Sequence, residues 1–318
     1  MNKNIIGRIY DTQRFSVHDG PGIRTTVFLS GCPLHCLWCH NPEAISTEYK
    51  LSFIKIKCVG IEKCGLCIPI CPQGALHKGE TIYSYAFHSD ISVIAIDREK
   101  CNFCGHCTDF CKAKALVMSG RDMTLGAIID IVNKDKSYYD NSGGGLTISG
   151  GEPLLQIDFT VELLKAIKEQ GINTCLDTSG FATWETLKKT LPYVDLYLYD
   201  IKHMDTQKHK KYTGVPNEII LQNINNLAAV EAKIQIRLPI IPGHNDDITN
   251  LQATGQFIKT IGASVTMLQI LPYHRLGLTK YERLGQKNLL EDLVPQSSER
   301  IEEIKTILEK YFQPVTIH

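Results

Sequence analysis

Thr25-Thr-Val-Phe-Leu-Ser-Gly-Cys32-Pro-Leu-His-Cys36-Leu-Trp-Cys39-His40 is the stretch on which the reading of this chain turns. Thr25–Ser30 has the β-branched and aromatic content of a buried strand, and Gly31 ends it. Three cysteines follow at once, in the spacing C-x3-C-x2-C. Chemistry-bearing side chains at the carboxyl end of a strand are a habit of parallel α/β sheets. The arrangement recurs along the chain. Strand-like Leu146–Ser149 runs into Gly150, Gly151 and Glu152, and Asn173–Asp177 ends on Asp177 and Thr178. Asp195–Ile201 brings Asp200, Ile201 and Lys202; Lys233–Ile240 contains Arg237; Ser264–Leu271 precedes His274. Helical periodicity covers Ile157–Glu169, with Gly171 as its C-cap, and then Trp184–Thr190, Glu218–Ala229, Ile248–Ile261 and Ser298–Tyr311. Six strand–helix units predict an α/β fold, a parallel sheet of apolar strands covered by helices.

Composition narrows the class. A chain of 318 residues has room for about two domains. With 43% hydrophobic residues it can bury a sizeable core. Lys plus Arg and Asp plus Glu are 34 each, and that balance argues against a dedicated nucleic-acid binder. No apolar run reaches the length of a membrane span. Met1–Phe15 mixes Lys3, Arg8, Asp11 and Arg14 among its apolar residues and lacks the h-region of a signal peptide. A cytoplasmic location, without membrane or nucleic-acid partners, is the expectation.

Cysteine is the outlying residue. Of 12 cysteines, all but Cys175 lie between Cys32 and Cys111. A chain this long without an export signal does not need disulfide staples, so the cysteines read as metal ligands. Residues 49–121 hold two cysteine clusters and little helical periodicity, and read as an insert with its own small core. Residues 1–48 and 122–318 then form the main α/β domain. Cys32, Cys36 and Cys39 suit three corners of a 4Fe–4S cube with one iron left open; a zinc site completed by His35 or His40 uses the same donors. Cys175, within a strand, reads as a small buried hydrophobe. Tyr193, Tyr197 and Tyr199 read as sheet packing, and Lys208-His209-Lys210-Lys211 as a solvated helix face.

C-x3-C-x2-C with an aromatic before its last cysteine resembles the radical S-adenosylmethionine enzymes. Asp19-Gly20-Pro21-Gly22-Ile23-Arg24 upstream and Cys39-His40-Asn41-Pro42-Glu43 downstream narrow this. Together they resemble the glycyl-radical-enzyme activating enzymes over nearly the whole chain. The resemblance implies a partial (β/α)6 barrel. It also implies a cofactor site for S-adenosylmethionine, formed by Trp38, Cys39, His40, Gly150, Gly151, Glu152, Asp200, Ile201, Lys202, Arg237 and His274. Within it, Gly150-Gly151-Glu152 would take the methionine amino group. Lys202 would face the methionine carboxylate, with Arg237 offering a planar fork of donors beside it. Asp177, Thr178 and Asp200 resemble a monovalent-cation site, although Ser179 stands where some relatives have Asn. Tyr212-Thr213-Gly214-Val215-Pro216-Asn217 recurs in the activating enzymes and is expected to shape the site.

The insert resembles a two-cluster ferredoxin. Cys101-x2-Cys104-x2-Cys107-x3-Cys111 repeats the bacterial run, with Lys112 in place of its proline; Cys58-x5-Cys64-x2-Cys67-x3-Cys71 keeps Pro72 but widens the first gap. In two-cluster ferredoxins the fourth cysteine of each run serves the other cluster. The implied sets are therefore Cys58, Cys64, Cys67 with Cys111, and Cys101, Cys104, Cys107 with Cys71. That makes three 4Fe–4S clusters in all, although a pair of zinc knuckles would use the same eight thiolates. The implied activity is reductive cleavage of S-adenosylmethionine and removal of a hydrogen atom from a glycine of a partner glycyl radical enzyme. A flavodoxin- or ferredoxin-like donor would supply electrons. Two other functions share parts of the pattern. A radical enzyme acting on another protein residue or a small molecule, such as a sulfatase-maturing enzyme, would add cysteines near the C-terminus, and none follows Cys175. A plain electron carrier would need neither the open-iron triad nor the Gly-Gly-Glu loop.

Overall fold

In the parallel strands alternate residues face two different environments, and this decides the architecture. A computed structural model describes residues 3–318. Its strands are β1 (Ile6–Ser16), β2 (Arg24–Leu29), β3 (Lys50–Phe53), β4 (Leu76–Ser84), β5 (Ser89–Ile96), β6 (Leu116–Ser119) and β7 (Arg121–Thr124). β8 (Gly145–Gly150), β9 (Asn173–Thr178), β10 (Leu196–Asp200), β11 (Ile234–Ile240), β12 (Val265–Pro272) and β13 (Val315–Ile317) complete the set. One nine-stranded sheet has the order β13-β12-β11-β10-β9-β8-β2-β1-β7. β2 and β8 to β12 run parallel, as the sequence predicts. β13 adds a further parallel strand at one edge, and β1 pairs antiparallel with β2.

One face of these strands is apolar. Val27, Leu29, Leu146, Ile148, Leu176, Tyr197, Tyr199, Ile234 and Ile236 pack there with the helices in one continuous core. Each such fully buried side chain contributes about 1.5–3 kcal/mol relative to exposure. The other face carries Arg24, Thr26, Thr147, Ser149, Asp177, Asp200 and Arg237 at the alternate positions. The expectation of apolar strands covered by helices holds for one face only, because the second face lines a polar interior. The sheet curls around that interior. His18, just after β1, and His318, just after β13, stack edge to face with centroids 4.1 Å apart, although six strands separate β1 from β13 in the sheet.

Helices Ile157–Lys168, Glu218–Ala229, Ile248–Ile261 and Ser298–Glu309 fall where the periodicity puts them. The helix expected over Trp184–Thr190 is shorter: α-helix holds only over Trp184–Leu187, and a 3-10 stretch containing Pro192 continues it. Among the described residues no helix is long and apolar enough to cross a membrane.

The contacts divide the chain into two units. One holds Met1–Thr47, Asp122–Gly277 and Leu289–His318; the other holds Glu48–Arg121 and Leu278–Asn288. Leu278–Asn288, assigned above to the main domain, thus belongs with the second unit, and its helix Leu278–Leu284 rests on β3. The second unit is built from two antiparallel pairs, β3 with β6 and β4 with β5. Leu51, Phe53, Leu76, Ile91, Val93 and Leu116 form its core, with cysteines packed around it.

Candidate functional site

The cysteine loop begins where β2 ends. Gly31 turns the chain at φ +99°, and a Cβ there would meet Thr47 Cγ2 at 2.6 Å and Leu155 Cδ2 at 2.7 Å. Backbone hydrogen bonds then fix the loop. Cys32 N–H donates to the Ile45 carbonyl (2.9 Å), His35 N–H to Thr213 (2.7 Å), Leu37 N–H to Tyr212 (3.0 Å) and Cys39 N–H to Cys36 (3.0 Å). Two of those acceptors lie in Tyr212-Thr213-Gly214, so this segment holds the cysteine loop in place. It closes helix Thr206–Thr213, with Gly214 as C-cap, and there the basic run has one inward member: His209 is buried, against the solvated face expected, and bonds to the Val215 carbonyl at 2.7 Å.

Cys32, Cys36 and Cys39 form no disulfide and line one cavity of about 350 Å³. Burial pushes the Cys32 thiol well up; it lifts Cys36 to about 12, with Lys202 pulling the other way. Such thiols ionise only when a cation takes up their charge, and iron does this for the cysteines that bind it. Three soft donors on one short loop fit an iron–sulfur cluster. Among the described residues no three His, Cys, Asp or Glu side chains gather closely enough for a single metal ion.

The same cavity is lined by Trp38, His40, Gly150, Gly151, Asp177, Thr178, Asp200, Lys202, Arg237 and His274. His40 and His274 stack with centroids 3.9 Å apart, and Trp38 packs beside Ile241 and Tyr273. Two residues assigned to the cofactor do not line the cavity. Ile201 packs into the apolar core on the outer face of the sheet. Glu152 is 1% exposed and bonds entirely to its own chain. Its Oε1 accepts from Thr178 Oγ1 (2.6 Å) and Leu154 N–H (3.1 Å), and its Oε2 from Ser179 N–H (2.9 Å) and Ser179 Oγ (2.6 Å). Burial pushes its carboxyl up while these donors pull it down, with a net rise. Four donors fill a carboxylate's acceptor sites, so Glu152 ties the β8 turn to the β9 turn. The glycines before it also serve the chain. A Cβ on Gly150, at φ +123°, would meet Leu29 N and O at 2.2 Å; one on Gly151 would meet Gly31 O at 2.2 Å.

The cavity floor carries paired charges. Lys202 Nζ donates to Asp200 Oδ2 at 2.6 Å, and Arg237 Nη1 lies 3.1 Å from Asp177 Oδ1. Ser149 Oγ donates to Asp177 Oδ2 at 2.6 Å. Burial works to lower Lys202, but Asp200 and Cys36 outweigh it, leaving the ammonium raised. Burial and nearby Asp200 push Asp177 up against the pull of Arg237. Arg237 Nε is buried and has no hydrogen-bond partner. An orphaned buried donor beside two cation–acid pairs fits a ligand that brings a carboxylate. Of the three residues assigned to a monovalent cation, Asp177 and Asp200 face the cavity. The Thr178 hydroxyl is engaged by Glu152 and by Gly180 N–H (2.9 Å).

Several lining residues carried no signal in the sequence. Ser149 looks like any strand serine, and His318 comes into place only because β13 extends the sheet. The Asp19–Arg24 motif, by contrast, is architectural. Arg24 is fully buried and donates to Thr147 Oγ1 (2.7 Å), the Leu146 carbonyl (2.6 Å), the Pro21 carbonyl (2.9 Å) and Asn173 Oδ1 (3.1 Å), lacing β2, β8 and β9 together. Asp19 Oδ2 accepts from Thr26 Oγ1 at 2.7 Å, and a Cβ on Gly22 would strike Gly144 N at 2.5 Å. Cys175 is buried beside this loop, and burial lifts its thiol to about 11.

In the second unit the eight cysteines separate into two pockets. Cys58, Cys64, Cys67 and Cys111 line one; Cys71, Cys101, Cys104 and Cys107 line the other. The fourth cysteine of each run is held alike: Ala75 N–H donates to Cys71 Sγ at 3.3 Å, and Ala115 N–H to Cys111 Sγ at 3.2 Å.

Comparison with known proteins agrees with this chemistry. Residues 98–251 match the Radical SAM superfamily, residues 18–59 a 4Fe-4S single cluster domain and residues 57–115 a 4Fe-4S dicluster domain. The (2S)-3-sulfopropanediol dehydratase activating enzyme of Klebsiella oxytoca is 40% identical over 100% of this chain and 98% of its own length. The isethionate sulfite-lyase activating enzyme of Nitratidesulfovibrio vulgaris is 39% identical over 90% of each. The trans-4-hydroxy-L-proline dehydratase activating enzyme of Clostridioides difficile is 39% identical over 95% of each. With these full-length similarities, the strand-end cysteine triad and the two four-cysteine pockets, the chain belongs to the glycyl-radical-enzyme activating enzymes of the radical SAM superfamily.

Proposed function

We propose that this protein uses S-adenosylmethionine and a 4Fe–4S cluster held by Cys32, Cys36 and Cys39 to install a glycyl radical in a partner enzyme. The bound cluster and cofactor would together supply reductive carbon–sulfur cleavage, giving methionine and a 5′-deoxyadenosyl radical that takes one hydrogen atom from the partner's glycine. The observation that carries the reading is the convergence of three cysteine side chains, Lys202, Arg237 and His274 on one cavity.

The chain's own groups have distinct tasks in this proposal. Cys32, Cys36 and Cys39 would hold the cluster, and as only three ligands they would leave it able to bind the cofactor. Gly150 and Gly151 bring backbone carbonyls to the cavity wall for the methionine ammonium, and Glu152 positions the facing Thr178–Ser179 turn. Arg237, through its orphaned Nε, and Lys202 would share the methionine carboxylate. Asp177 and Asp200 would keep both cations ionised and oriented, and remain the candidates for a monovalent cation. Trp38, His40, Tyr273 and His274 narrow the cavity mouth and exclude water. The two pockets of the second unit would each hold a 4Fe–4S cluster, in the pairing Cys58, Cys64, Cys67, Cys111 and Cys71, Cys101, Cys104, Cys107. An electron-carrier protein of flavodoxin or ferredoxin type would reduce them.

The partner is a glycyl radical enzyme. Relatives named for a dehydratase, a sulfite-lyase and a decarboxylase stand at 40%, 39% and 37% identity, so overall similarity does not separate these classes of partner. Anaerobic incubation of the reconstituted protein with reductant, S-adenosylmethionine and candidate glycyl radical enzymes tests the proposal. A glycyl radical signal in one candidate is the expected result. Cofactor cleavage with no radical in any candidate, together with modification of another substrate, would refute it.

A further inference from the structure

We infer that the mouth of the Cys58 pocket is the docking surface for an acidic one-electron carrier protein, which makes this pocket the electron entry point; the inference rests on the activase reading. Each pocket brings one cysteine to the surface, Cys64 in one and Cys104 in the other, so exposure alone does not choose between them. Their surroundings do. At the Cys58 pocket three large apolar side chains stand in solvent: Ile56 is 86% exposed, Leu66 52% and Phe110 46%. Leu66 lies between two of the pocket's cysteines, and Phe110 lines the pocket itself. Lys57, Lys63 and Lys112 surround them, each adjacent in sequence to a cysteine of this pocket and each exposed.

Lys63 lies over the exposed Phe87 ring, 3.4 Å from its centroid, which leaves its charge uncompensated by any acid. Among the described residues none of the three lysines forms an ion pair, whereas nearby Lys55 is held by Glu80 at 2.7 Å and Glu282 at 2.9 Å. Glu62 is exposed and accepts from Ser92 N–H at 3.3 Å, and exposed Asp109 precedes Phe110, so the three lysines stand against two acids around this mouth. The Cys104 pocket lacks this character. Lys100 beside it is paired with Asp97 at 3.1 Å, and Asn102 and His106 flank Cys104. An exposed apolar centre with a cationic rim is the pattern of a transient interface, and the cations select an anionic partner. A surface-exposed cysteine, Cys64, of the set that would hold the cluster lies at the centre, which suits an electron carrier as that partner. It would give up one electron and the cluster would accept one, with no bond made or broken.

The test uses the full reconstituted chain and reduced flavodoxin as the acidic carrier. The rate of cluster reduction, followed by stopped-flow absorbance, should fall about tenfold at low salt in a Lys63→Glu, Lys112→Glu double variant, and its salt dependence should flatten. The neutral Lys63→Gln, Lys112→Gln pair should lie between. Hydrogen exchange should show flavodoxin protecting residues 56–66 and 110–114. Equal rates in wild type and both variants, or protection elsewhere, would overturn the inference. Iron content and reduction by dithionite should be unchanged, which excludes misfolding. Dithionite-driven deoxyadenosine formation tests the activase reading separately, because it requires no docking.

Discussion

Replacing Glu152 separates two roles for the Gly-Gly-Glu turn. If its carboxylate bound the cofactor ammonium directly, Glu152→Gln would weaken cofactor binding and leave the empty fold as stable as before. The geometry predicts the opposite emphasis. Glu152 accepts four hydrogen bonds at 2.6–3.1 Å, two of them from the backbone amides of Leu154 and Ser179. In Glu152→Gln one oxygen becomes an NH2 group, which faces at least one of these donors and cannot accept. Leaving one buried amide unsatisfied costs about 1–3 kcal/mol. Glu152→Ala orphans both amides, and the cost becomes about 2–6 kcal/mol, with a cavity term added. Thermal unfolding of the cofactor-free, cluster-loaded protein should therefore rank wild type above Gln and Gln above Ala. Iron at Cys32, Cys36 and Cys39 should be retained in the Gln variant. Equal unfolding temperatures for wild type and Glu152→Gln, with a large loss of cofactor affinity, would refute the reasoning.

Other perturbations read other parts of the account. Removing Lys202 or Arg237 should weaken S-adenosylmethionine binding by about 1.5–3 kcal/mol, the range for hydrogen bonds to charged groups, and calorimetry showing unchanged affinity in both variants would move the carboxylate site elsewhere. Cys71→Ala and Cys104→Ala should perturb the same iron–sulfur signal in electron paramagnetic resonance, and Cys111→Ala and Cys67→Ala the other; pairing of Cys71 with Cys67 would contradict the two pockets. Asp135 accepts from Arg14 and from Thr25 Oγ1, and the Arg14 guanidinium holds its carboxyl below the usual range. A carboxyl lowered in the folded state contributes stability above its unfolded value and loses it as pH falls through the folded one. Asp135→Asn should thus flatten the loss of stability on the acid side, and identical acid profiles for wild type and variant would exclude the contribution.

Much of the sheet could be read from the sequence because β2 and β8 to β12 are β-rich runs that end on conspicuous residues. What escaped was of another kind. β1 carries Arg8, Asp11 and Arg14 and so reads as polar chain; its strand character comes from pairing with β2. β13 has three residues, too few for a pattern, yet it brings His318 to the cavity. The close packing of the Gly-Gly-Glu turn was not legible either: Gly150 and Gly151 line the cavity, but they also lie against Leu29 and Gly31 of the neighbouring strand and loop, and Glu152 is spent on its own chain. Ile201 is simpler: it follows β10 directly and keeps the alternation of the strand, so Asp200 faces the cavity and Ile201 packs in the core. The insert shows the reverse case: each of the two sets of four that the ferredoxin resemblance implies lines one pocket.

The most direct test of the central claim is deoxyadenosine formation by the anaerobically reconstituted protein, compared with its Cys36→Ala variant. With dithionite and S-adenosylmethionine the wild type should release 5′-deoxyadenosine and methionine. The variant should release neither, while keeping the iron of the two pockets in the second unit. Deoxyadenosine from Cys36→Ala at a rate near that of the wild type would contradict the assignment of Cys32, Cys36 and Cys39 as the reactive centre.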